Sequence, residues 1–183
     1  MSKKGFTIIE VIVSVSVGAI ILTIVYLSFI AGRTIRQKGI LNAELAQNGR
    51  IALDRLSRDL RQTGEITTIL SETKPEPANT EVQFEDGHTD IVQYITYRLD
   101  GNELEREVGH YYFETDPLTW VNSTATDAGG NPALYVVDIE QTISQYISNF
   151  NVYGEIPVIN TELTVSKNGN SIEFMTQNTG RNL

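Results

Sequence analysis

The sequence predicts an α+β protein in which one long N-terminal helix packs on an antiparallel β-sheet. Three observations predict this fold class. An uncharged, largely apolar run of 22 residues occupies positions 11–32, and a segment with amphipathic helical spacing continues it to Gly64. After Thr80, β-rich runs are separated by Asp-Gly and Asn-Gly turn signals, which are typical of antiparallel strands.

The 183-residue chain has two parts of opposite charge. Residues 1–64 carry nine basic and four acidic side chains, whereas residues 65–183 carry five basic and nineteen acidic ones. Because the larger part repels phosphate, nucleic acid is not expected as a partner. The absence of cysteine excludes disulfides, thiolate metal sites and cysteine nucleophiles.

The apolar run at 11–32 is long enough to span a membrane. As a helix it measures roughly 33 Å, against a hydrocarbon core of about 30 Å. A cleaved secretory signal has a shorter apolar region and ends in small residues, unlike the sequence at 29–31. Glu10 lies immediately before this run, inside the wider apolar segment at 6–32. An ionised side chain near the bilayer centre costs about 2.5 to 3.5 kcal/mol. Glu10 is either a tolerated interfacial carboxylate or a group that pairs with a buried cation.

The first eleven residues, MSKKGFTIIEV, combine a basic leader, Gly5, Phe6 and, after three residues, Glu10. In this combination the chain resembles the class III signal of type IV pilins and pseudopilins. The resemblance implies that a membrane-embedded prepilin peptidase cleaves after Gly5 and methylates the new amine of Phe6. It also implies that Glu10 pairs with the N-terminal amine of a neighbouring subunit in a helical fibre built on an inner-membrane assembly platform.

Charge alone does not orient the chain in the membrane. Lys3 and Lys4 lie on one side of the span and Arg33, Arg36 and Lys38 on the other, so the positive-inside rule does not place the leader in the cytoplasm. The resemblance implies a single-pass inner-membrane protein with the leader inside and the globular domain outside, which enters a cell-surface or periplasmic fibre after assembly.

The helix is predicted to continue beyond the membrane, from about Thr7 to Thr63. Its apolar positions recur at helical spacing: Leu41, Leu45, Ala52, Leu53, Leu56 and Leu60. Most charged positions are predicted opposite this stripe, with Ile51 as an apolar exception, and the i, i+4 pairs are Asp54 with Arg58 and Arg55 with Asp59. The stripe therefore requires a sheet to cover it.

The segment RIALDRLSRDLRQTG at 50–64 resembles the corresponding helix of J-type pseudopilins of type II secretion and of W-type minor pilins. Its arginines support two interpretations. They form a solvated helix face, or they bind DNA in an uptake pilus. The acidic domain beside them favours the solvated face.

The acidic domain is predicted to contain two hairpins. One joins 90–98 to an edge-like strand at 103–108, and the other joins 161–165 to 171–176. The pattern YRLDGNELEREV at 97–108 also resembles the J-type and W-type subunits. The remaining expectations are a linker at 73–80, a loop at 117–132 and a short helix whose apolar positions are Ile139, Ile143, Tyr146, Ile147 and Phe150.

No catalytic motif is recognisable, so we expect no enzyme activity, cofactor or metal. His88 and His110 are predicted to be turn or surface residues, and Glu103, Glu105 and Glu107 are predicted to form a solvated face along a sheet edge. Two alternatives stay open at this point. The carboxylates able to gather around calcium are Asp86, Asp90, Asp116 and Asp127. The aromatic residues able to form either core or a subunit contact are Trp120 and Tyr111 to Phe113.

Together these observations predict a minor pilin or pseudopilin, a structural subunit in the initiating or tip complex of a pilus, secretion or DNA-uptake fibre. Two features depart from the pattern of the major pilins that the chain resembles: the first helix has no proline and there is no C-terminal cysteine pair. Within the resemblance, both imply a minor subunit rather than an abundant one. The alternative is a single-pass anchored module that binds an extracellular ligand or calcium. The expected organisation is a leader at 1–5, a transmembrane assembly helix at 6–32, an amphipathic continuation at 33–64, a linker at 65–80 and an acidic β-rich domain at 81–183.

Overall fold

The computed structural model describes Gly5, residues 7–88 and residues 91–180. Within these ranges one helix precedes eight β-strands, which confirms the predicted α+β class. The bounds are α1 Ile8–Gln62, β1 Glu81–Glu85, β2 Tyr94–Asp100, β3 Glu103–Phe113, β4 Asp116–Val121, β5 Leu134–Gln145, β6 Ile147–Glu155, β7 Val158–Lys167 and β8 Asn170–Thr179.

The chain divides into two compact units, residues 1–42 and residues 43–183. In the first unit the described residues belong mainly to α1, and its large apolar side chains are exposed; Ile8 is 81% exposed and Leu22 is 71% exposed. This part of α1 is long and apolar enough to cross a membrane, and its most apolar stretch is not buried inside the protein. The unit thus presents an apolar surface that water alone would not stabilise.

In the second unit, the remainder of α1 buries one side. Leu45, Ala52, Leu56 and Leu60 are almost completely buried, whereas Ile51 is 46% exposed. The predicted amphipathic stripe is therefore confirmed, including its exception.

Of the two predicted charge pairs on α1, the structure contains one. Arg55 Nε lies 3.8 Å from Asp59 Oδ2, whereas Asp54 and Arg58 form no ion pair with described residues. Asp59 is buried, and it also accepts hydrogen bonds from Arg106 Nε at 2.7 Å and from the Tyr97 hydroxyl at 2.9 Å. This carboxylate ties α1 to strands β2 and β3.

The larger sheet has the order β1-β2-β3-β4, and β5 also pairs with β3, all antiparallel. Residues 103–109 of β3 pair with β2 while 103–112 pair with β5, so β2 and β5 occupy opposite edges of β3. The prediction that 103–108 is an edge strand was wrong. Turn signals reveal local hairpins, but the β3–β5 pairing joins residues up to 42 positions apart, such as Glu103 and Gln145.

The smaller sheet has the order β6-β7-β8. Its β7–β8 hairpin closes through Asn168 and Gly169, whose φ angles of 52° and 78° fit the two-residue turn of Asn-Gly hairpins. The predicted hairpin at 161–165 and 171–176 is confirmed, although the strands are longer than predicted.

The predicted helix at 139–150 was wrong, because this segment forms the end of β5 and the start of β6. Its apolar spacing fits a helix, but Tyr146 has a φ of 65° and separates two strands that enter different sheets. Ile139 is consequently exposed on β5, whereas Ile147 and Phe150 are buried in β6. Long-range strand pairing overrode the local period.

The predicted loop at 117–132 is partly strand. Asp116–Val121 forms β4, which pairs with β3 through Tyr111–Phe113 across a register shift. From Asn122 to Ala133 the chain is irregular, with an isolated bridge between Thr126 and Pro132.

The segment that follows α1 is bound to both sheets. Ile66 bridges Phe84 of β1, Gly154 N of β6 donates to Ser71 O, and Asn79 Nδ2 donates to Val152 O. The segment therefore runs along the junction of the two sheets.

Candidate functional site at the N-terminal helix

Glu10 occupies the first turn of α1, where its carboxylate forms a capping box with Thr7. Glu10 Oε2 accepts hydrogen bonds from Thr7 N and Thr7 Oγ1, both at 2.9 Å, and Glu10 N donates to Thr7 Oγ1 at 3.4 Å. These bonds satisfy amide groups that the start of a helix leaves without partners. They hold the carboxylate back toward the chain terminus.

Both Thr7 bonds use a single oxygen of the carboxylate. Within the described residues Glu10 Oε1 accepts no hydrogen bond, and the side chain is exposed. An ionised carboxylate can accept several hydrogen bonds on each oxygen. The geometry therefore leaves one oxygen able to accept from a donor outside the chain.

Gly5 is exposed and precedes the helix, while Phe6 lies outside the described residues. A Cβ atom added at Gly5 would meet nothing within 4 Å. The described structure therefore has room for a larger side chain at position 5. A strict requirement for glycine at position 5 would come from a protein that recognises the segment.

Three hydroxyl side chains in the apolar stretch donate their hydrogen bonds within the helix. The hydroxyls of Ser14, Ser16 and Thr23 donate to the carbonyls four residues earlier, at 2.7, 2.8 and 2.9 Å. Such internal bonds lower the cost of placing a hydroxyl in hydrocarbon. Glu10 thus differs from these groups, because its carboxylate carries a formal charge that an internal hydrogen bond does not neutralise.

Basic side chains follow the apolar stretch. The Arg33 guanidinium lies 5.8 Å from the centre of the Phe29 ring, and a shallow depression is lined by Arg33, Arg36, Gln37 and Ile40. Arginine at the end of an apolar helix can extend to the polar interface of a bilayer. This arrangement fits contact with membrane lipid.

A family model described as the prokaryotic N-terminal methylation motif matches residues 1–26. The chain is type IV pilin-like. It combines this motif with one long apolar helix and antiparallel sheets. The match includes the positions expected for cleavage and methylation and also Glu10. Searches of curated proteins and of solved structures returned no match.

The two histidines differ in their surroundings. His88 lies in a turn, with Nδ1 2.5 Å from Asp86 Oδ1, as predicted for a turn residue. The surface prediction was wrong for His110, which is 8% exposed and lies on the interior strand β3. Its Nδ1 is 2.7 Å from Asp138 Oδ2, and its ring stacks on Trp120 with centroids 4.1 Å apart.

The predicted solvated face of glutamates was also wrong, because β3 is an interior strand. Glu107 is 7% exposed, and Arg98 Nη2 lies 2.9 Å from both Glu105 and Glu107 and 3.5 Å from Glu140. Burial raises the pKa of Glu107, while the Arg98 charge opposes that rise. One guanidinium thus contacts all three carboxylates and offsets part of their charge.

The aspartates considered for calcium make separate local contacts in the structure. Asp86 contacts His88, Asp116 accepts from Thr119 Oγ1 at 2.7 Å, and Asp90 lies outside the described residues. Asp127 accepts from Gly129 N and from the backbone and side chain of Asn131, and these bonds lower the pKa of Asp127, the Asn131 side chain contributing most. Local contacts of this kind are typical of aspartates in turns.

The aromatic cluster is half-buried and packs on other rings. Tyr111 lies 4.9 Å from both Tyr94 and Tyr135, measured between ring centroids, and its hydroxyl donates to Gln83 Oε1 at 2.7 Å. The cluster therefore packs within the larger sheet.

Sequence reasoning missed Thr7, although the pattern Thr-x-x-Glu before an apolar run is a recognisable capping-box signal. It also missed Gly49, where an added Cβ would lie 2.2 Å from Phe174 Cε2. No local signal identifies Gly49, because the close approach depends on a strand more than 100 residues away.

Proposed function

We propose that this protein is a minor pilin or pseudopilin, a structural subunit in the initiating or tip complex of a type IV pilus-like fibre. The observation that carries the proposal is the position of Glu10, in the first turn of an exposed apolar helix inside a matched methylation motif. The fibre serves adhesion, motility, protein secretion or DNA uptake. The sequence patterns at 50–64 and 97–108 resemble J-type pseudopilins and W-type minor pilins, which supports a subunit of one of these types.

In this proposal a prepilin peptidase cleaves between Gly5 and Phe6 and methylates the new amine of Phe6. Before assembly the chain is a single-pass inner-membrane protein with its β-rich unit outside the cytoplasm. The assembly platform then transfers it into the fibre, where its apolar helix packs against the helices of other subunits. Replacing lipid by apolar helices leaves the hydrophobic surface of α1 covered.

Glu10 has an electrostatic role in this proposal. Its charge is unfavourable in hydrocarbon but is compensated by the terminal ammonium of a neighbouring subunit. The Oε1 atom left open by Thr7 is the acceptor for this contact. Because the pair forms only at one axial offset, it sets the register between subunits. The resemblance to pilins implies that a subunit at the tip often lacks this glutamate, so its presence supports a position below another subunit.

Two changes separate the charge of Glu10 from its capping bond. Glu10→Gln removes the charge and retains a side chain able to complete a capping box, whereas Thr7→Ala removes the two bonds of the Thr7 hydroxyl and retains both the charge and the bond from the residue 7 backbone N–H. We expect both variants to accumulate in the membrane. Glu10→Gln should be strongly depleted from sheared fibres, as measured by quantitative immunoblotting against the membrane pool, and Thr7→Ala should be depleted less. Normal incorporation of Glu10→Gln would contradict the register role.

Intact mass measurement tests processing separately. The membrane-extracted chain should begin at N-methylated Phe6 when co-produced with an active prepilin peptidase, and at Met1 with a catalytically inactive peptidase. A chain that keeps Met1 beside the active enzyme would contradict the proposal. It would favour the alternative of a single-pass anchored module that binds an extracellular ligand.

A further inference from the structure

A cleft within the second unit separates the outer side of α1 from β8. Its volume is about 840 Å³, and three arginines and one carboxylate line its helical wall. These residues are Arg50, Arg58, Arg61 and Asp54. On the opposite wall, Met175 of β8 is 66% exposed.

The three arginines lack acidic partners. Within the described part of the chain none of them forms an ion pair, and Asp54 does not pair with Arg58. The arginines of this unit that do form ion pairs are Arg55, Arg98 and Arg106. The cleft is therefore a positive surface on a chain whose net charge is −9. Because guanidinium groups bind carboxylates through paired hydrogen bonds, this wall is suited to acidic side chains.

The other wall offers backbone groups. β8 pairs with β7, and no described strand pairs with its outer edge. In the two-residue hairpin, Lys167 and Asn170 form the closing hydrogen-bonded pair, and hydrogen-bonded pairs then alternate along the ladder. By this alternation Glu173, Met175 and Gln177 direct their backbone N–H and C=O groups away from β7. An extended peptide can pair with such an edge.

We propose that this cleft binds an extended acidic segment of a partner polypeptide, which adds to β8 as a further strand and directs its carboxylates toward the three arginines. The helical wall from Arg50 to Arg61 extends about 16 Å, the length of roughly five extended residues. Arg50 and Arg58 lie about 12 Å apart along the helix axis, and side chains at positions i and i+4 of such a strand lie about 13 Å apart. A strand whose acidic residues are four positions apart therefore matches the spacing of this pair.

The same features favour a peptide over nucleic acid. The backbone of a DNA strand has no hydrogen-bond donors to pair with the carbonyls of Met175 and its neighbours. Its many phosphates would also meet the acidic surface of residues 65–183, whereas a short peptide places only a few charges, all within the cleft. This inference does not depend on assembly of the chain into a fibre.

A model peptide tests the charge requirement. The probe is a fluorescein-labelled decapeptide of alternating valine and glutamate, and its binding to the full chain in phosphatidylcholine nanodiscs is measured by fluorescence anisotropy. We expect binding that Arg58→Glu weakens by about tenfold or more. Arg36→Glu, an identical charge change outside the cleft, should change it less than about twofold. A valine–lysine peptide should not bind. Absence of valine–glutamate binding, or equal affinity for the Arg58→Glu chain, would overturn the proposal.

A second pair of variants tests strand addition. Met175→Pro removes one outward N–H and leaves the bonds to β7 intact, whereas Met175→Thr keeps that N–H. Circular dichroism first establishes that both variants retain the wild-type spectrum. Proline should abolish peptide binding and threonine should preserve it; equal binding by both would overturn strand addition.

Two further outcomes would assign the cleft to a different occupant and so overturn the proposal. One is binding of an oligothymidylate that is as tight as that of the peptide and equally sensitive to Arg58→Glu. The other is self-association of the wild-type chain in detergent that Arg58→Glu removes, which would assign the cleft to a second copy.

Discussion

Neutralising Asp59 should destabilise the β-rich unit by about 3 kcal/mol. This carboxylate is 3% exposed and accepts from Arg106 Nε at 2.7 Å and the Tyr97 hydroxyl at 2.9 Å. Asp59→Asn keeps the volume and one acceptor but leaves the Arg106 charge, which is 11% exposed, without a buried counter-ion. Breaking such a pair from one side costs about 3 to 5 kcal/mol, and the retained acceptor favours the lower value. The ratio of folded to unfolded protein should fall by a factor of roughly 10².

Urea unfolding of the full chain in detergent micelles, followed by the fluorescence of Trp120, measures this change. With a urea dependence of about 2 kcal/mol per molar, a loss of about 3 kcal/mol lowers the midpoint by roughly 1.5 M. Asp54→Asn is the matched control, because Asp54 is exposed on the same helix and forms no ion pair with described residues. Its effect should remain within about 0.5 kcal/mol.

The double variant Asp59→Asn/Arg106→Gln tests the electrostatic explanation. The double variant removes the charge of Arg106 together with that of Asp59, so no buried charge is left without a counter-ion. Its loss of stability should therefore be smaller than the sum of the losses of the two single variants, by at least about 1 kcal/mol. A loss below about 1 kcal/mol for Asp59→Asn, or strict additivity in the double variant, would refute the reasoning.

Two further predictions concern packing and pH. Gly49→Ala should destabilise the β-rich unit by about 1 to 3 kcal/mol, because the new methyl group would lie 2.2 Å from Phe174 Cε2. Gly39→Ala is the control, because a Cβ at this position meets open space, and it should not destabilise the protein. Thermal denaturation of the two variants measures the difference. The hydrogen bond from Lys74 lowers the pKa of Glu162 below its ordinary 4.5. The stability from this group is therefore complete above about pH 4.5 and is lost as pH falls through the lower folded pKa. Glu162→Gln should consequently flatten the pH dependence of unfolding below about pH 5, and an unchanged slope would argue against this contact.

Local signals predicted the elements whose cause is local. Two features identify α1 from sequence. The apolar run is recognised by its length, and the stripe at Leu45 to Leu60 is recognised because its burial follows the helical period. The Asn168–Gly169 turn identifies the β7–β8 hairpin because few residues adopt its positive φ angles. In each case the residues that decide the structure lie within a few positions of one another.

Long-range pairing accounts for the errors. The apolar period at 139–150 fits a helix, yet β5 forms because residues 134–145 pair with β3 across a long connection. That pairing places β3 in the interior of the larger sheet, which explains why His110 and Glu107 are buried rather than exposed. Spacing along one segment contains no information about which distant strand will cover it.

The two candidate sites differ in the same way. Gly5, Phe6 and Glu10 are recognisable from sequence because they belong to one contiguous motif. The arginine cleft is not, since Arg58 becomes one wall of a binding surface only when β8 lies beside α1. On the helix alone, the same arginines are indistinguishable from a solvated face.

The capping box also bears on how a charged side chain could persist in an apolar helix. Thr7 binds one oxygen of Glu10 and leaves the other open, so the side chain is oriented before any partner arrives. A flexible carboxylate would lose rotamer freedom on pairing with a neighbouring ammonium, and this entropic cost would weaken the contact. Because Thr7 has already restricted the side chain, more of the charge attraction is available to the pair. On the proposed function, Thr7 therefore strengthens the contact between Glu10 and the neighbouring ammonium but does not itself touch that ammonium. For this reason we expect Thr7→Ala to impair assembly less than Glu10→Gln.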